Sequence, residues 1–334
     1  MSYPTARAIP ISALPLIDIA KLKSTKLSDR EVVAQQIRQA CLDKGFFYIA
    51  NHDVPAPLVD AVFRESRSFF ALPLADRMSV RRSRSACNRG FEPMGGQDLE
   101  RTGFPDLKEA YDLGVEQVEA DHVVRLQYAN IGLNQWPSGA PLFRRVMEAY
   151  FEAMLALAIR LMGALALSLG LAENYFDGFC AQSVALLRLL HYPQQPVKPY
   201  AGEKGCGAHT DWGAITVLLQ DDAGGLQIND PAHGWLHAPP RTGSFVVNLG
   251  DIVARWTNDR YRSTEHRVIN LSGRDRYSVP FFFDGNPDHL ISCLPGCSGP
   301  NDPPKYAPVT VAAHTDAMHR LAAVTTPAER SANG

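Results

Sequence analysis

Past Tyr175 the chain stops reading as helix. Short apolar runs recur at 184–190, 215–219, 226–228, 245–249, 266–269 and 277–283, with Gly, Asp, Asn and Pro between them. Runs this short, closed off by turn residues, do not make helices. Their succession predicts a sandwich or a barrel-like double sheet. The 334 residues are 46% apolar, enough for a sizeable core in one large or two closely packed domains.

Ahead of that region the pattern is mixed. LPLIDIA (14–20) reads as a short opening strand. A helix is predicted from Ser28 to Lys44, with Ser28 and Glu31 forming a capping box and Gly45 as the stop signal. GFFYIANHDVP (45–55) reads as a buried strand ending in a turn, where His52 is expected to hydrogen-bond locally rather than bind metal. A second helix spans 56–71 and stops near Pro73. Residues 76–98 crowd Arg77, Arg81, Arg82, Arg84 and Arg89 together before Gly and Pro, and read as a loop. That loop is either a solvated charged face or a lid carrying cations for an acidic ligand.

The longest helix is predicted at about 142–169, ending at Gly170. From Ala153 to Leu171 its single charge is Arg160, over a length that could span a bilayer. A charge in mid-segment costs roughly 2.5–3.5 kcal/mol on insertion scales. A buried helix braced against a sheet is the better reading. After Pro308 a closing helix follows, then a frayed tail. The predicted division is an N-terminal helical and strand region (1–178), a β core with its closing helix (179–324) and a tail (325–334).

The net charge of −2 gives no basic field to hold nucleic acid or an anionic membrane by bulk attraction. MSYPTARAIPIS, at the start, has no apolar run of signal-peptide length. The six cysteines are scattered without a C-x-x-C pair, which suits reduced thiols better than a disulfide framework. The expectation is a cytoplasmic monomer that takes a small molecule, with no nucleic-acid or membrane partner.

Chemistry concentrates in GCGAHTDWGAITVLLQ (205–220). His209 and Asp211 are separated by one residue, and in an extended chain such side chains leave the same face. A distant histidine, His266, completes a set of two neutral nitrogens and one anionic oxygen. Such a set grips one face of divalent iron and leaves three positions open. The same triplet recurs at His314-Thr315-Asp316, in a stretch with helical pattern. There i and i+2 diverge, so this copy is expected to be surface polarity. Beyond His266, Arg276 and Ser278 share a strand face in RYSVPFFF (276–283). A guanidinium fork with a neighbouring hydroxyl suits one carboxylate, here the far end of a dicarboxylate chelating the metal.

Together HTDWGAITVLLQDDAGGLQI, NLGD (248–251), RSTEHRV (262–268) and RYSVPFFF resemble the iron- and 2-oxoglutarate-dependent dioxygenases of the isopenicillin N synthase-like group. GFFYIANHDVP, NRGFEP (88–93) and DLKEAYDLG (106–114) are similar to that group's segments before its core, so the resemblance covers most of 14–324. It implies an α+β fold with a double-stranded β-helix (jelly-roll, cupin-like) core and flanking helices. It implies Fe(II) on His209, Asp211 and His266, with 2-oxoglutarate and O2 as cosubstrates. The C5 carboxylate of 2-oxoglutarate would sit on Arg276 and Ser278, helped by Tyr192 in RLLHYP (188–193). Leu190 stands where many relatives carry Asn.

The implied reaction is oxidation, by default hydroxylation, of a small molecule with release of succinate and CO2. Three alternatives stay open: an oxidase of the same fold that takes no 2-oxoglutarate, a zinc-dependent hydrolase or isomerase, and a non-catalytic binding protein. Segment 81–95 is the candidate cover of the pocket. Within it Arg89 and Phe91 are expected to contact the primary substrate, and its arginines suggest an anionic one.

Overall fold

The computed structural model describes residues 14–100, 104–116, 132–195 and 204–322. Its strands are β1 (Leu16–Asp18), β2 (Phe46–Ala50), β3 (Gly90–Glu92), β4 (Glu109–Gly114), β5 (Val184–Tyr192), β6 (Cys206–His209), β7 (Ile215–Gln220), β8 (Leu226–Asp230), β9 (Gly234–His237), β10 (Ser244–Leu249), β11 (His266–Val268) and β12 (Arg276–Gly285), with a short β13 (Leu290–Ile291) and β14 (Val309–Thr310) pair beyond them. A large sheet runs β1-β2-β10-β7-β12-β5-β4-β3, and a small one runs β6-β11-β8-β9. Apart from the parallel pair β1 and β2, the pairings within these two sheets are antiparallel.

The period of two explains why the central strands are apolar without a break. On one face of the large sheet, Phe47, Ile49, Leu187, Leu189, Val217, Val279, Phe281 and Phe283 join the core that the helices cover. On the other face, Phe46, Tyr48, Leu190, Tyr192 and Val246 meet Cys206, Leu226, Ile228 and Val268 of the small sheet. Both faces are buried, so both alternating sets are apolar. Two opposed sheets of this order form a double-stranded β-helix. Strands from residues 16–114 supply four of the eight positions in the large sheet, so the N-terminal region is built into it.

The main helices are α1 (Leu27–Asp43), α2 (Ala56–Phe70), α3 (Leu74–Ser79), α4 (Pro141–Ser168), α5 (Asp177–Cys180), α6 (Asp251–Trp256) and α7 (Val311–Ala322). By length and composition α4 is the one described helix apolar enough to cross a membrane. Here it packs against α1 and α2, and its Phe151 ring meets Phe281 of the sheet at 5.2 Å. Arg160, the charge in mid-helix, pairs with Asp53 at 3.1 Å on the accessible side.

Two local expectations need correction. The capping box at Ser28 is not formed: α1 starts at Leu27, with Lys26 at its N-cap and no side-chain cap. Ser24 works just outside instead, accepting from the Lys26 N–H at 3.2 Å and donating to Asp29 at 2.7 Å. The stop at Gly45 is explained by its φ of +65° and by space, since a Cβ there would lie 2.0 Å from the Arg262 carbonyl oxygen. Residues 76–98 are more ordered than a loop. They include the end of α3, a 3-10 turn at Arg82–Arg84 and strand β3. Three of the five arginines there have internal roles: Arg77 pairs with Glu109, Arg82 with Glu92 and Asp112, and Arg89 is 1% exposed.

Candidate active site

His209 and His266 sit directly opposite each other on paired strands β6 and β11, with ring centroids 4.4 Å apart. Asp211 lies just beyond the end of β6, in the turn that leads to β7. Its Oδ1 is 3.7 Å from His209 Nε2 and 3.8 Å from His266 Nε2. The three ligand atoms all fall within 4.8 Å of one another.

Neighbouring groups leave the inward atoms of this trio available. His209 Nδ1 is 2.7 Å from the Gly207 carbonyl, and His266 Nδ1 is 3.1 Å from that of Thr264. With Nδ1–H donated to a carbonyl, the Nε2 lone pair faces inward. On Asp211, Oδ2 accepts from Thr216 Oγ1 at 2.6 Å and Asn248 Nδ2 at 2.7 Å, leaving Oδ1 for the centre. Burial, with His209 alongside, pushes the His266 pKa down to about 4, and burial also lowers His209. Burial works against ionising Asp211, yet the two histidines, Asn248 and Thr216 hold it below the ordinary carboxylate range. Two neutral nitrogens and one carboxylate oxygen fit a ferrous ion. Thr216 and Asn248 were missed by sequence reasoning, although both lie in stretches that carried the resemblance.

Arg276 and Tyr192 pair in register on β12 and β5, as do Ser278 and Leu190, so all four share the inter-sheet face. The Arg276 guanidinium is fully buried, 4.7 Å above the Tyr192 ring. It donates to the Gly224 carbonyl at 2.5 Å, to Ser278 Oγ at 3.0 Å and to Gln220 Oε1 at 3.5 Å. Those partners are neutral. A buried cation with neutral partners carries a desolvation penalty of several kcal/mol that an anion would offset. The residues therefore fit a carboxylate-bearing cosubstrate. Leu190 is buried opposite Ser278 and adds no polar contact.

Beside the trio lies a cavity of about 420 Å³. Its walls include Leu186 and Arg188 of β5, Phe282 and Asp284 of β12, Trp212 after Asp211, and His319 of α7. Burial, then the nearby Asp211 charge, pushes the Asp284 carboxyl up to about 7, against an opposing pull from the Arg89 guanidinium.

Arg89 and Phe91, the two expected substrate contacts, do not line this cavity. β3 pairs with β4 at the edge of the large sheet, and Phe91 points into the helix-side core at 0% exposure, next to Phe69 at 6.0 Å. Arg89 lies against Gly114, where a Cβ would be 2.0 Å from its Nη2. The segment does reach the cavity, but through Arg82, Asn88 and Glu92. Phe91→Ala is accordingly expected to destabilise the protein by about 3–5 kcal/mol, as core Phe truncations do. Denaturant unfolding measures this. A variant of normal stability that lost only substrate turnover would contradict the placement.

The second His-Thr-Asp triplet is on α7, as its pattern predicted, but only part of it is surface polarity. Asp316 pairs with Arg320 at 3.6 Å. His314 is buried, with Nε2 3.0 Å from the Trp212 carbonyl, and Thr315 lines the cavity. His319 adds an edge contact to the Trp212 ring at 5.1 Å. Helix α7 is thus clamped onto the turn that bears Asp211.

Two family models match the chain. The non-haem dioxygenase in morphine synthesis N-terminal model covers residues 14–139, and the 2OG-Fe(II) oxygenase superfamily model covers 183–285. The 2-oxoglutarate-Fe(II) type oxidoreductase hxnY of Emericella nidulans is 43% identical over 306 residues, covering 90% of this chain and 87% of that protein. Among solved structures, a full-length Neurospora crassa protein in complex with alpha-KG and thymine superposes with a TM-score of 0.81 at 30% identity, covering 92% of this chain and 97% of that one. JOX2 in complex with 2OG, Fe and JA gives 0.75 at 29% identity, covering 92% and 84%. The chain belongs to the Fe(II)- and 2-oxoglutarate-dependent dioxygenases of the isopenicillin N synthase-like family. It is an oxidoreductase that uses Fe(II), 2-oxoglutarate and O2 on a small molecule.

Proposed function

We propose that His209, Asp211 and His266 are the protein ligands of the Fe(II), and that Arg276 and Ser278, with Tyr192 beside them, hold the far carboxylate of 2-oxoglutarate. When bound, the iron, 2-oxoglutarate and O2 together supply the oxidising power, with succinate and CO2 as coproducts. The protein's part is to hold and orient. Gly207 and Thr264 fix the imidazole tautomers, and Thr216 and Asn248 fix the carboxylate. The buried Arg276 fork sets the direction in which a dicarboxylate lies.

The observation that carries this reading is the pairing of two incomplete groups. A trio of ligand atoms is left without partners at its centre, and a buried guanidinium has neutral partners alone. Both are satisfied by one metal-bound dicarboxylate. The substrate is oxidised in the adjacent cavity, and hydroxylation is the proposed outcome. Among the described residues, Arg82 is the one member of the 76–98 arginine cluster that lines the cavity, and Arg188 joins it. Both are paired with carboxylates, Arg82 with Glu92 and Asp112, and Arg188 with Asp112. That pairing favours a small molecule without net negative charge over the anionic one suggested by the sequence.

The test is a substrate screen on protein loaded with iron anaerobically and then exposed to O2, scored by succinate formed per O2 consumed. One succinate per O2, stimulated by a subset of the small molecules, is the expected result. O2 consumption without succinate would refute the assignment of the Arg276 pocket to 2-oxoglutarate.

A further inference from the structure

We infer that Asp284 is a substrate-binding carboxylate, and that it selects a molecule presenting an N–H to the metal side of the cavity. This rests on the reading of the site proposed above. Phe282 and Asp284 are two residues apart on β12, and both line the cavity, as the period of two requires. Asp284 is half-buried and makes no hydrogen bond among the described residues, with the Arg89 guanidinium as the charge that opposes the cost of its burial. An ionisable group taken partly out of water without a hydrogen-bond partner is costly.

The other charges in the same wall are already committed. Arg188 makes a two-pronged contact to Asp112, at 2.6 Å and 2.8 Å, and Arg82 lies 3.2 Å from Glu92. Asp284 is therefore the carboxylate of this wall that remains open to a ligand. Its place is also specific. A Cβ on Gly213 would lie 2.1 Å from Asp284 Oδ1, so the carboxyl abuts the backbone two residues past Asp211.

A ligand group held there meets the Asp284 carboxyl and the aromatic side chains of Phe282 and Trp212, while Asp211 is turned to the metal. With Asp284 ionised, above its pKa of about 7, a ligand carboxylate would be repelled at that end. An amidine, amine or amide nitrogen would be attracted, and Asp284 would accept its hydrogen.

Three probes of matched ring and size separate the possibilities: benzamidine, benzamide and benzoate. Their binding is measured by calorimetry on the anaerobic protein with Fe(II) and 2-oxoglutarate bound, for the native chain and for Asp284→Asn. Benzamidine or benzamide is expected to bind the native protein at least about ten-fold more tightly than benzoate. Asp284→Asn is expected to weaken the benzamidine affinity by about ten- to a hundred-fold, while benzoate binds as well or better. Tight benzamide binding would mark a neutral donor as sufficient, and tight benzamidine binding alone would mark a cation as required.

Benzoate binding as tightly as the nitrogen probes overturns the inference, and so does the absence of any preference, or an Asp284→Asn protein with the native preference. Thermal unfolding checks that the variant folds. Should Asn not be tolerated, Asp284→Glu, which keeps the carboxylate, must retain the preference for nitrogen. Native protein that fails to bind 2-oxoglutarate would refute the underlying reading of the site. Native protein that binds it but shows no preference refutes only the role of Asp284.

Discussion

Asp211→Ala is expected to lose both iron retention and 2-oxoglutarate turnover, to below one per cent of the native protein on the order of magnitude set by removing the sole anionic ligand. The two imidazoles would remain, but neutral nitrogens alone leave the divalent charge without its compensating carboxylate. The substitution also strands the Asn248 and Thr216 donors that now bond Asp211 Oδ2 at 2.7 Å and 2.6 Å. Each buried donor left unsatisfied costs about 1–3 kcal/mol, so a fall in thermal stability should accompany the loss. Metal content after gel filtration, with succinate formation beside it, makes the measurement. Asp316→Ala, in the second triplet, should keep its iron. Native iron content in the Asp211 variant would remove this carboxylate from the metal site.

For Arg276→Gln the expected outcome is a 2-oxoglutarate affinity weakened by about ten- to a hundred-fold, with iron still bound. Gln keeps a donor for Ser278 or Gly224 but cannot present a charged fork, and charge-assisted bidentate contacts are the strong ones. The native guanidinium is buried with neutral partners, so its loss removes a desolvated cation as well as a ligand contact. The apo variant should therefore be no less stable than the apo native chain, even as it loses the stabilisation that added 2-oxoglutarate gives. Affinity measured anaerobically, with thermal shifts on titrating 2-oxoglutarate, reads both effects. Unchanged affinity would move the anion clamp to another residue.

The convergence of His209, Asp211 and His266, and of Arg276 with Ser278, was legible because each depends on spacing within a strand or across one pair of strands. His209 and Asp211, or Arg276 and Ser278, are two apart, and the geometry of extended chain does the rest. Arg89 and Phe91 were not legible in the same way. Their burial depends on β3 pairing with β4, which no local pattern in a three-residue strand announces. The capping box failed because Ser28 met the motif while the helix began one residue earlier, at Leu27. His314 was invisible for the opposite reason: its partner, the Trp212 carbonyl, is a backbone atom far away in the chain. Strand β9 escaped because GWLH is half exposed and lies at the outer edge of the small sheet.

The position of β2 in the large sheet has a consequence for how the chain reaches this structure. Its FFYI run has two neighbours, the three-residue β1 and strand β10, which begins only at Ser244. During synthesis the β2 edge must therefore wait, apolar on both faces, until most of the chain has left the ribosome. Pairings of such long sequence separation form slowly, and a waiting hydrophobic edge is open to the wrong partner. Yield of soluble protein should accordingly depend on translation speed and on chaperones that shield Phe46–Ala50, even where the finished fold is stable.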